Sequence, residues 1–211
     1  MDNFFYKVND KEYEVVVIHK RMKNTHFRFK EDKFVVTCPR FTPKYMIVRG
    51  LDKFAASLIK RSAKEPPMGI DFIYIFGQKV IVNESGKLHI SDYPEITYKS
   101  REDLLKKLRP IYLDIVTKRT RYYESLMNVP SYRVSVRNMT SRYGSNSKGN
   151  KHITFATVLL HYSTDIIDSV IVHELAHIKV YNHSKEFYDV VYKYCPNYDI
   201  YHKKLRKGEY Q

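Results

Sequence analysis

Alternating apolar and polar positions near the start of the chain predict a group of β-strands. The pattern places strands over residues 13–18, 26–30 and 34–37, with a turn at the charged residues 30–33. A second group follows further along, with a hairpin over residues 72–82 that turns at Gly77-Gln78 and a short strand over residues 88–90. The front of the chain is therefore expected to be rich in antiparallel sheet.

Helical spacing of apolar residues appears twice between these strands and the middle of the chain. The first helix opens at Thr42-Pro43, since proline suits the first helical position. The second runs from Ser100, a favourable capping residue, to about Met127, and Pro110 is expected to kink it. The apolar positions that define the two helices are Met46, Ile47, Leu51, Phe54, Leu58 and Ile59, then Leu104, Leu105, Leu108, Ile111, Tyr112, Ile115 and Val116.

The last third of the chain predicts two strands and then two helices. Residues 133–136 and 153–156 have strand character, and the polar segment 138–150 between them is expected to be a loop. Residues 165–181 and 185–194 follow with helical spacing. The whole pattern predicts an α+β protein, with a β-rich N-terminal region over residues 1–98 and a C-terminal region over residues 99–211. The two prolines of residues 64–69 indicate a loop and a hinge ahead of that boundary.

The first of these last helices carries the most informative motif, HExxH. On a helix, His173 and His177 lie on one face one turn apart, so both imidazoles can reach one Zn²⁺ at about 2.0–2.1 Å. Glu174 lies between them and can serve as general base for a water that the zinc activates. The helix around the motif is apolar, and burial of these polar groups without a partner would be costly.

A catalytic zinc site needs a third protein ligand and an open fourth position. His183 supplies it if the chain turns back after the helix, and we expect Asn182 to make that turn in the left-handed conformation. Ser184 can then cap the next helix. Glu186 and Asp189 remain alternative third ligands, in which case His183 is a histidine of a surface turn.

At these residues the sequence resembles the YgjP-like metallopeptidase domain family, also called DUF45. The likeness rests on residues 167–177, on Asn182-His183-Ser184, and on Ser141-Arg142-Tyr143-Gly144-Ser145, which matches the family's SRWGS signature with Tyr143 in place of Trp. It is clear from about residue 133 to 206 and looser before that. The resemblance implies a zincin-like catalytic half, with zinc held by His173, His177 and His183, and relatives among the DNA-associated SprT and WLM proteases. Val180 stands where metzincins carry glycine, which argues against a true metzincin.

Composition limits the partners and the compartment. The formal net charge is +14, and 43% of the residues are hydrophobic, without an apolar run of membrane-spanning length. The first residues do not resemble a signal peptide, and Cys38 and Cys195 form no CxxC pair, so we expect a cytoplasmic protein with two free, buried thiols. The excess of positive charge is compatible with DNA or RNA as a partner, although it can also serve solubility alone. The sequence makes no prediction of the oligomeric state.

The combined pattern predicts a zinc metallopeptidase that acts on a protein or peptide. The strand at residues 153–156 is expected to offer an open edge to an extended substrate, with Arg142, Tyr143 and Thr154 as candidate substrate-binding residues. Arg142 or Tyr143 is the candidate donor to an oxyanion. Two alternatives stay open: a nucleic-acid-binding protein whose zinc is mainly structural, and a zinc hydrolase of a non-peptide bond.

Overall fold

The computed structural model describes residues 3–62, 65–83 and 85–211. The helices are α1 Lys44–Ser62, α2 Arg101–Leu126, α3 Thr164–Lys179, α4 Lys185–Tyr194 and α5 Tyr198–Lys207, with a short 3₁₀ helix at Thr157–His161. The strands are β1 Phe4–Val8, β2 Lys11–Lys20, β3 His26–Lys30, β4 Lys33–Pro39, β5 Phe72–Ile75, β6 Gln78–Ile81, β7 Gly86–Leu88, β8 Ile96–Tyr98, β9 Arg133–Arg137, β10 Gly144–Ser147 and β11 His152–Ala156. The predicted α+β class is confirmed.

The chain forms two compact units, Met1–Glu65 and Pro66–Gln211. This division differs from the predicted boundary after residue 98. Strands β5 to β8 belong to the second unit because Ile73, Leu88 and Tyr98 are buried in the same core as the apolar faces of α2 and α3. The boundary falls in the proline-containing segment 64–69, of which Lys64 lies outside the described residues.

The first unit is a four-stranded sheet with α1 packed on one face. The strand order is β1-β2-β4-β3, and β2 pairs with β4 in parallel, whereas the other pairs are antiparallel. Strand β1 is absent from the predictions, although its turn at Asn9-Asp10 has positive φ at both residues, as a two-residue hairpin requires. Alternate residues of β2 and β4 point into the core with Ile47 and Leu51 of α1.

The second unit surrounds α3 with other elements. Helices α2, α4 and α5 contact it, and so does β10. Residues 166–172, 175 and 176 are buried, so the helix is apolar on nearly every face. Cys195 lies in this core and Cys38 in the core of the first unit, and both thiols are free and buried, as predicted.

The three-stranded sheet beside α3 corrects one prediction. Its order is β10-β11-β9, so β11, which contains residues 153–156, lies between two neighbours and offers no open edge. The edge strands are β9 and β10, and β10 arises from the segment predicted to be a loop. Its sequence, Gly144-Ser-Asn-Ser147, lacks alternating apolar residues, and β10 is recognised only through its pairing with β11 and its contact with α3.

A buried carboxylate fixes α3 against α2. Asp168 is 6% exposed, receives hydrogen bonds from two nitrogens of Arg119, and accepts a third from the Tyr123 hydroxyl at 3.0 Å. Asp168 therefore holds the two helices together.

We expect Asp168→Asn to lower the free energy of unfolding by about 1.5–3 kcal/mol, because hydrogen bonds to charged groups contribute about that much and Arg119 would lose its anion. Urea titration of the metal-free protein, followed by circular dichroism, measures the change. The matched control is Asp165→Asn, an exposed carboxylate one turn earlier, which should cost less than about 1 kcal/mol. Equal losses in the two variants would contradict the role given to Asp168.

Candidate metal centre and cleft

Three histidines converge at the C-terminal half of α3. His173 and His177 project from successive turns of the helix, and their ring centroids are 5.0 Å apart. His183 comes from the connection between α3 and α4, and its Nε2 atom is 3.2 Å from Nε2 of His173. Each of the three offers a ring nitrogen, and these nitrogens all lie within 4.8 Å of one another. The sequence predicted this grouping, and the structure brings all three residues together.

The turn that returns His183 to the helix differs from the predicted one. Helix α3 ends at Lys179, and Val180 leaves it in an extended conformation with φ −129°. Asn182 does not have positive φ, so the predicted left-handed conformation is wrong. Helix α4 begins at Lys185, as predicted, but the Ser184 hydroxyl donates to the Glu186 carboxylate rather than capping the helix.

The alternative third ligands lie outside this group. Glu186 and Asp189 are both exposed on α4. In the described part of the chain the grouping of possible metal ligands at this place consists of His173, His177 and His183.

Partners on the far side of each ring orient two of the histidines. Nδ1 of His177 donates to the Tyr181 carbonyl at 3.0 Å, and Nδ1 of His173 is 2.8 Å from the Tyr198 hydroxyl. A carbonyl can only accept, so His177 carries its proton on Nδ1, and its Nε2 has the lone pair that a metal requires. The Tyr198 hydroxyl can accept a proton from Nδ1 of His173, which leaves the same lone pair on Nε2 of that ring. Phe187, fully buried, packs its ring against all three imidazoles.

The donor set fits a metal ion that prefers imidazole nitrogen. Burial lowers the pKa of His173 to about 3, with a further contribution from neighbouring His177, and burial also lowers the pKa of His177. Both are therefore neutral near pH 7, which is the form that binds metals. Two ligands of a tetrahedral ion with bonds of about 2.0–2.1 Å lie roughly 3.3 Å apart, close to the 3.2 Å between His173 and His183.

Glu174 lies next to this centre and is held between α3 and β10. It is 6% exposed, and burial raises its pKa to about 7, while the charge of Arg142 acts in the opposite direction. Strand β10 can approach because residue 144 is glycine: a Cβ atom there would lie 2.7 Å from Cγ of Glu174. Asn146 of the same strand donates to the Glu174 carbonyl at 2.7 Å, which fixes the strand against the helix.

A cleft of about 180 Å³ opens beside His173 and Glu174. Arg142 and Gly144 line one side of it, and Tyr198 and His202 of α5 line the other. The His202 ring stacks on the Tyr198 ring with a centroid distance of 5.5 Å. A buried carboxylate, Glu174, and the cationic side chain of Arg142 thus border the same small space.

The three predicted substrate-binding residues occupy different places. Arg142 borders the cleft and is exposed, with one nitrogen 3.2 Å from the Ser145 hydroxyl. Tyr143 donates its hydroxyl proton to the Leu205 carbonyl at 2.9 Å, which joins the start of β10 to α5 and leaves no proton for an oxyanion. Thr154 lies on β11 and lines a separate pocket, with its hydroxyl 3.2 Å from that of Ser135.

Four residues of the site were not predicted. Tyr198 and His202 carry a usable signal, because two rings four positions apart share one face of a helix. Gly144 lies within the signature that carried the family resemblance, but its contact with Glu174 is a tertiary feature. Nothing in the local sequence marks Asn146.

Comparison with known proteins adds the family. The sequence matches the family described as YgjP-like, metallopeptidase domain over residues 23–208. The structure is similar to the crystal structure of the metallopeptidase zymogen abylysin of Pyrococcus abyssi, with 21% identity, TM-score 0.39, and coverage of 43% of this chain and 95% of that one. The zymogen jannalysin of Methanocaldococcus jannaschii gives 18% identity, TM-score 0.38, and coverage of 44% and 95%.

No curated protein sequence matches the chain. Within the described residues, every helix is too short or too polar to cross a membrane. The family match spans most of the chain and includes the residues that border the cleft. The chain therefore belongs to the YgjP-like metallopeptidase domain family and is a peptidase, as the sequence predicted.

Proposed function

We propose that this protein is a zinc-dependent peptidase in which His173, His177 and His183 hold the metal and Glu174 is the general base. The observation that carries the proposal is the convergence of three imidazole nitrogens beside a buried carboxylate at an open cleft. Zinc is the metal of choice because a neutral three-histidine set with an accessible further position is typical of catalytic zinc. The substrate is a protein or peptide, as the family implies.

The residues of the cleft divide the chemistry between them. Zinc, when bound, supplies Lewis acidity toward water and toward a carbonyl oxygen. A carboxylate oxygen of Glu174 takes a proton from the attacking water and then gives it to the nitrogen of the leaving amine. The raised pKa of Glu174 suits both directions of transfer near neutral pH, since a general base works best when its pKa is close to the working pH.

Two side chains support this chemistry from opposite walls of the cleft. Arg142, whose guanidinium reaches solvent, can stabilise the negative charge that develops on a carbonyl oxygen. Tyr198 contacts Nδ1 of His173 and thereby holds the ring in its ligand orientation. Tyr198 is a positioning residue in this proposal, because its hydroxyl is engaged by the ligand rather than by the substrate.

The alternative of a mainly structural zinc fits the site less well. A structural site is closed by four protein ligands and needs no base. The nearest cysteine in sequence, Cys195, is buried in the core, and the metal-binding group among the described residues contains only the three histidines. Glu174 at the cleft has a use only if the site is catalytic. A zinc hydrolase of a non-peptide bond would use the same residues, and the family favours the peptide bond.

Nucleic-acid binding stays a prediction. The structure supports fewer basic residues as contacts for a nucleic acid than the net charge suggests. On α2, Lys106 and Lys107 are ion-paired with Glu102 and Asp103, and Arg109 donates to the Val136 carbonyl. Acids of the same helix thus balance the charges of Lys106 and Lys107, and a backbone carbonyl holds the Arg109 side chain. Exposed Lys20, Arg21 and Lys23 of the first unit remain the residues best placed to contact phosphates.

We expect about one zinc ion per chain. We also expect His183→Ala to reduce zinc occupancy sharply, because the variant keeps only two of the three protein ligands. Elemental analysis after dialysis against a weak chelator measures the occupancy. Glu186→Ala and Asp189→Ala are the controls on the neighbouring helix, and both should retain full zinc. Loss of zinc in either control with retention in His183→Ala would assign the third ligand to a carboxylate.

We expect Glu174→Gln to retain zinc and fold but to lose about 10²–10⁴-fold in kcat/KM, because the amide matches the carboxylate in shape and cannot accept the proton. The substrate is a peptide selected by digestion of an unbiased library with the wild-type enzyme. Glu186→Gln, which changes an exposed carboxylate near the site, is the control and should stay within about twofold. Wild-type activity in Glu174→Gln would rule out the proposed base.

We expect Gly144→Ala to lose about 10²-fold in activity while keeping zinc, since the new methyl group must displace the Glu174 side chain and small displacements of reacting groups have effects of this size. Gly149→Ala lies in the same segment, and a Cβ there meets nothing within 4 Å, so it should be neutral. Circular dichroism and zinc content separate a displaced base from a misfolded chain. Equal activity in the two variants would show that the contact with Glu174 is unimportant.

A further inference from the structure

The segment that contains β9, β10 and β11 has an unusual charge. From Ser125 to Thr164 the sequence contains no aspartate or glutamate, although the chain as a whole contains 23. The same segment carries five cationic side chains, namely Arg133, Arg137, Arg142, Lys148 and Lys151. The small sheet beside the active-site helix is therefore positive without any compensating carboxylate of its own.

Part of this charge surrounds a second pocket, which we call the Arg137 pocket. It has a volume of about 380 Å³ and lies on the face of the sheet that points away from α3. Its lining includes Arg137 of β9, Ser145 of β10, Thr154 of β11, and the connection that leads to Arg142. The pocket is thus polar, with hydroxyl groups beside two guanidinium groups.

The two guanidinium groups of this pocket are available to a ligand. Arg137 is exposed and has no ion-pair partner among the residues that the structure describes. Arg142 is exposed too; it hydrogen-bonds to Ser145, and its charge also acts on the nearby Glu174 carboxylate. No carboxylate lines the pocket in the described residues. This contrasts with α2, where lysines are paired with acids of the same helix.

Arg142 connects the Arg137 pocket with the cleft, because it lines both. A polypeptide whose scissile bond lies in the cleft can therefore place a nearby side chain in the pocket. Arginine recognises carboxylates through two parallel hydrogen bonds, and serine and threonine hydroxyls can donate to the same group.

We propose that the Arg137 pocket is a subsite for an acidic side chain, so that the enzyme prefers substrates with aspartate or glutamate close to the scissile bond. The inference rests on the proposed peptidase function and adds the class of substrate to it. A phosphate group would meet the same arginines, but the continuity with the cleft favours a side chain of the polypeptide that is being cut.

Charge variants on one strand test the subsite. Arg137→Glu reverses the charge in the pocket, and Arg133→Glu makes the same change on the same face of β9 but outside the pocket. Arg137→Gln removes the charge without reversing it, and it keeps the test informative if Arg137→Glu misfolds. Zinc content and circular dichroism of each are compared with wild type.

The substrates are peptides derived from one that the wild type cleaves in a library digest, with glutamate, glutamine or lysine placed in turn at each position around the scissile bond. We expect the wild type to favour glutamate over lysine at one position by about tenfold in kcat/KM, since an exposed ion pair and the avoided repulsion together have that magnitude. Arg137→Gln should abolish the preference, Arg137→Glu should reverse it, and Arg133→Glu should leave it unchanged.

The outcomes separate the subsite from the peptidase function. Cleavage without any preference for acidic residues, or equal effects of Arg133→Glu and Arg137→Glu, would overturn the subsite and leave the peptidase intact. If the zinc-loaded wild type cleaves no peptide, the proposed function fails, and binding tests the pocket instead.

The binding test measures fluorescence anisotropy with a labelled glutamate-rich peptide, its glutamine counterpart and a single-stranded oligonucleotide. Binding of the glutamate-rich peptide that Arg137→Glu weakens and Arg133→Glu does not supports an acidic polypeptide ligand. Binding of the oligonucleotide alone overturns the proposal in favour of nucleic acid.

Discussion

The burial of α3 is the constraint on which the site depends. The helix is covered by α2, α4, α5 and β10, so it must be apolar on nearly every face, yet it carries Asp168, His173 and Glu174. Polar groups in such a place need partners, or they change their protonation state. Each of the three meets the constraint differently: Asp168 through Arg119 and Tyr123, His173 through Tyr198 and a strongly lowered pKa, and Glu174 through a raised pKa beside the cleft.

The same constraint explains why the site is built on elements that are distant in sequence. A helix supplies His173 and His177 at fixed spacing, but it cannot by itself orient their rings or limit the position of Glu174. Those tasks fall to α5, whose Tyr198 contacts His173, and to β10, whose Gly144 allows backbone to press against Glu174. Tyr143 joins these two elements through its bond to the Leu205 carbonyl, so a residue first considered for the substrate instead connects the two walls of the cleft.

Features set by short-range spacing could be predicted from the sequence, and features set by tertiary contact could not. The HExxH helix, the grouping of His183 with the two helix histidines and the bounds of α4 follow from motif spacing and helical periodicity, whereas the predicted Asn182 turn and Ser184 cap do not occur. Strand β10 was not predicted, because it forms through pairing with β11 and contact with α3 and has no apolar pattern of its own. The prediction of a left-handed Asn182 was wrong, because asparagine tolerates positive φ but does not require it. The chain leaves the helix instead through the extended conformation of Val180.

The structure also shows which of the chain's basic residues are paired with acids and which are not. On α2 the lysines are balanced by acids one turn away, so their charge adds little to the field. Around β9 to β11 the charge is unbalanced, and Arg142 brings it to the cleft. There it opposes the effect of burial on Glu174, because a nearby positive charge favours the ionised carboxylate. The positive charge that would attract an anionic substrate thus also favours the ionised form of Glu174, the proposed general base. In this proposal, recognition and catalysis both depend on one acid-free stretch of the sequence.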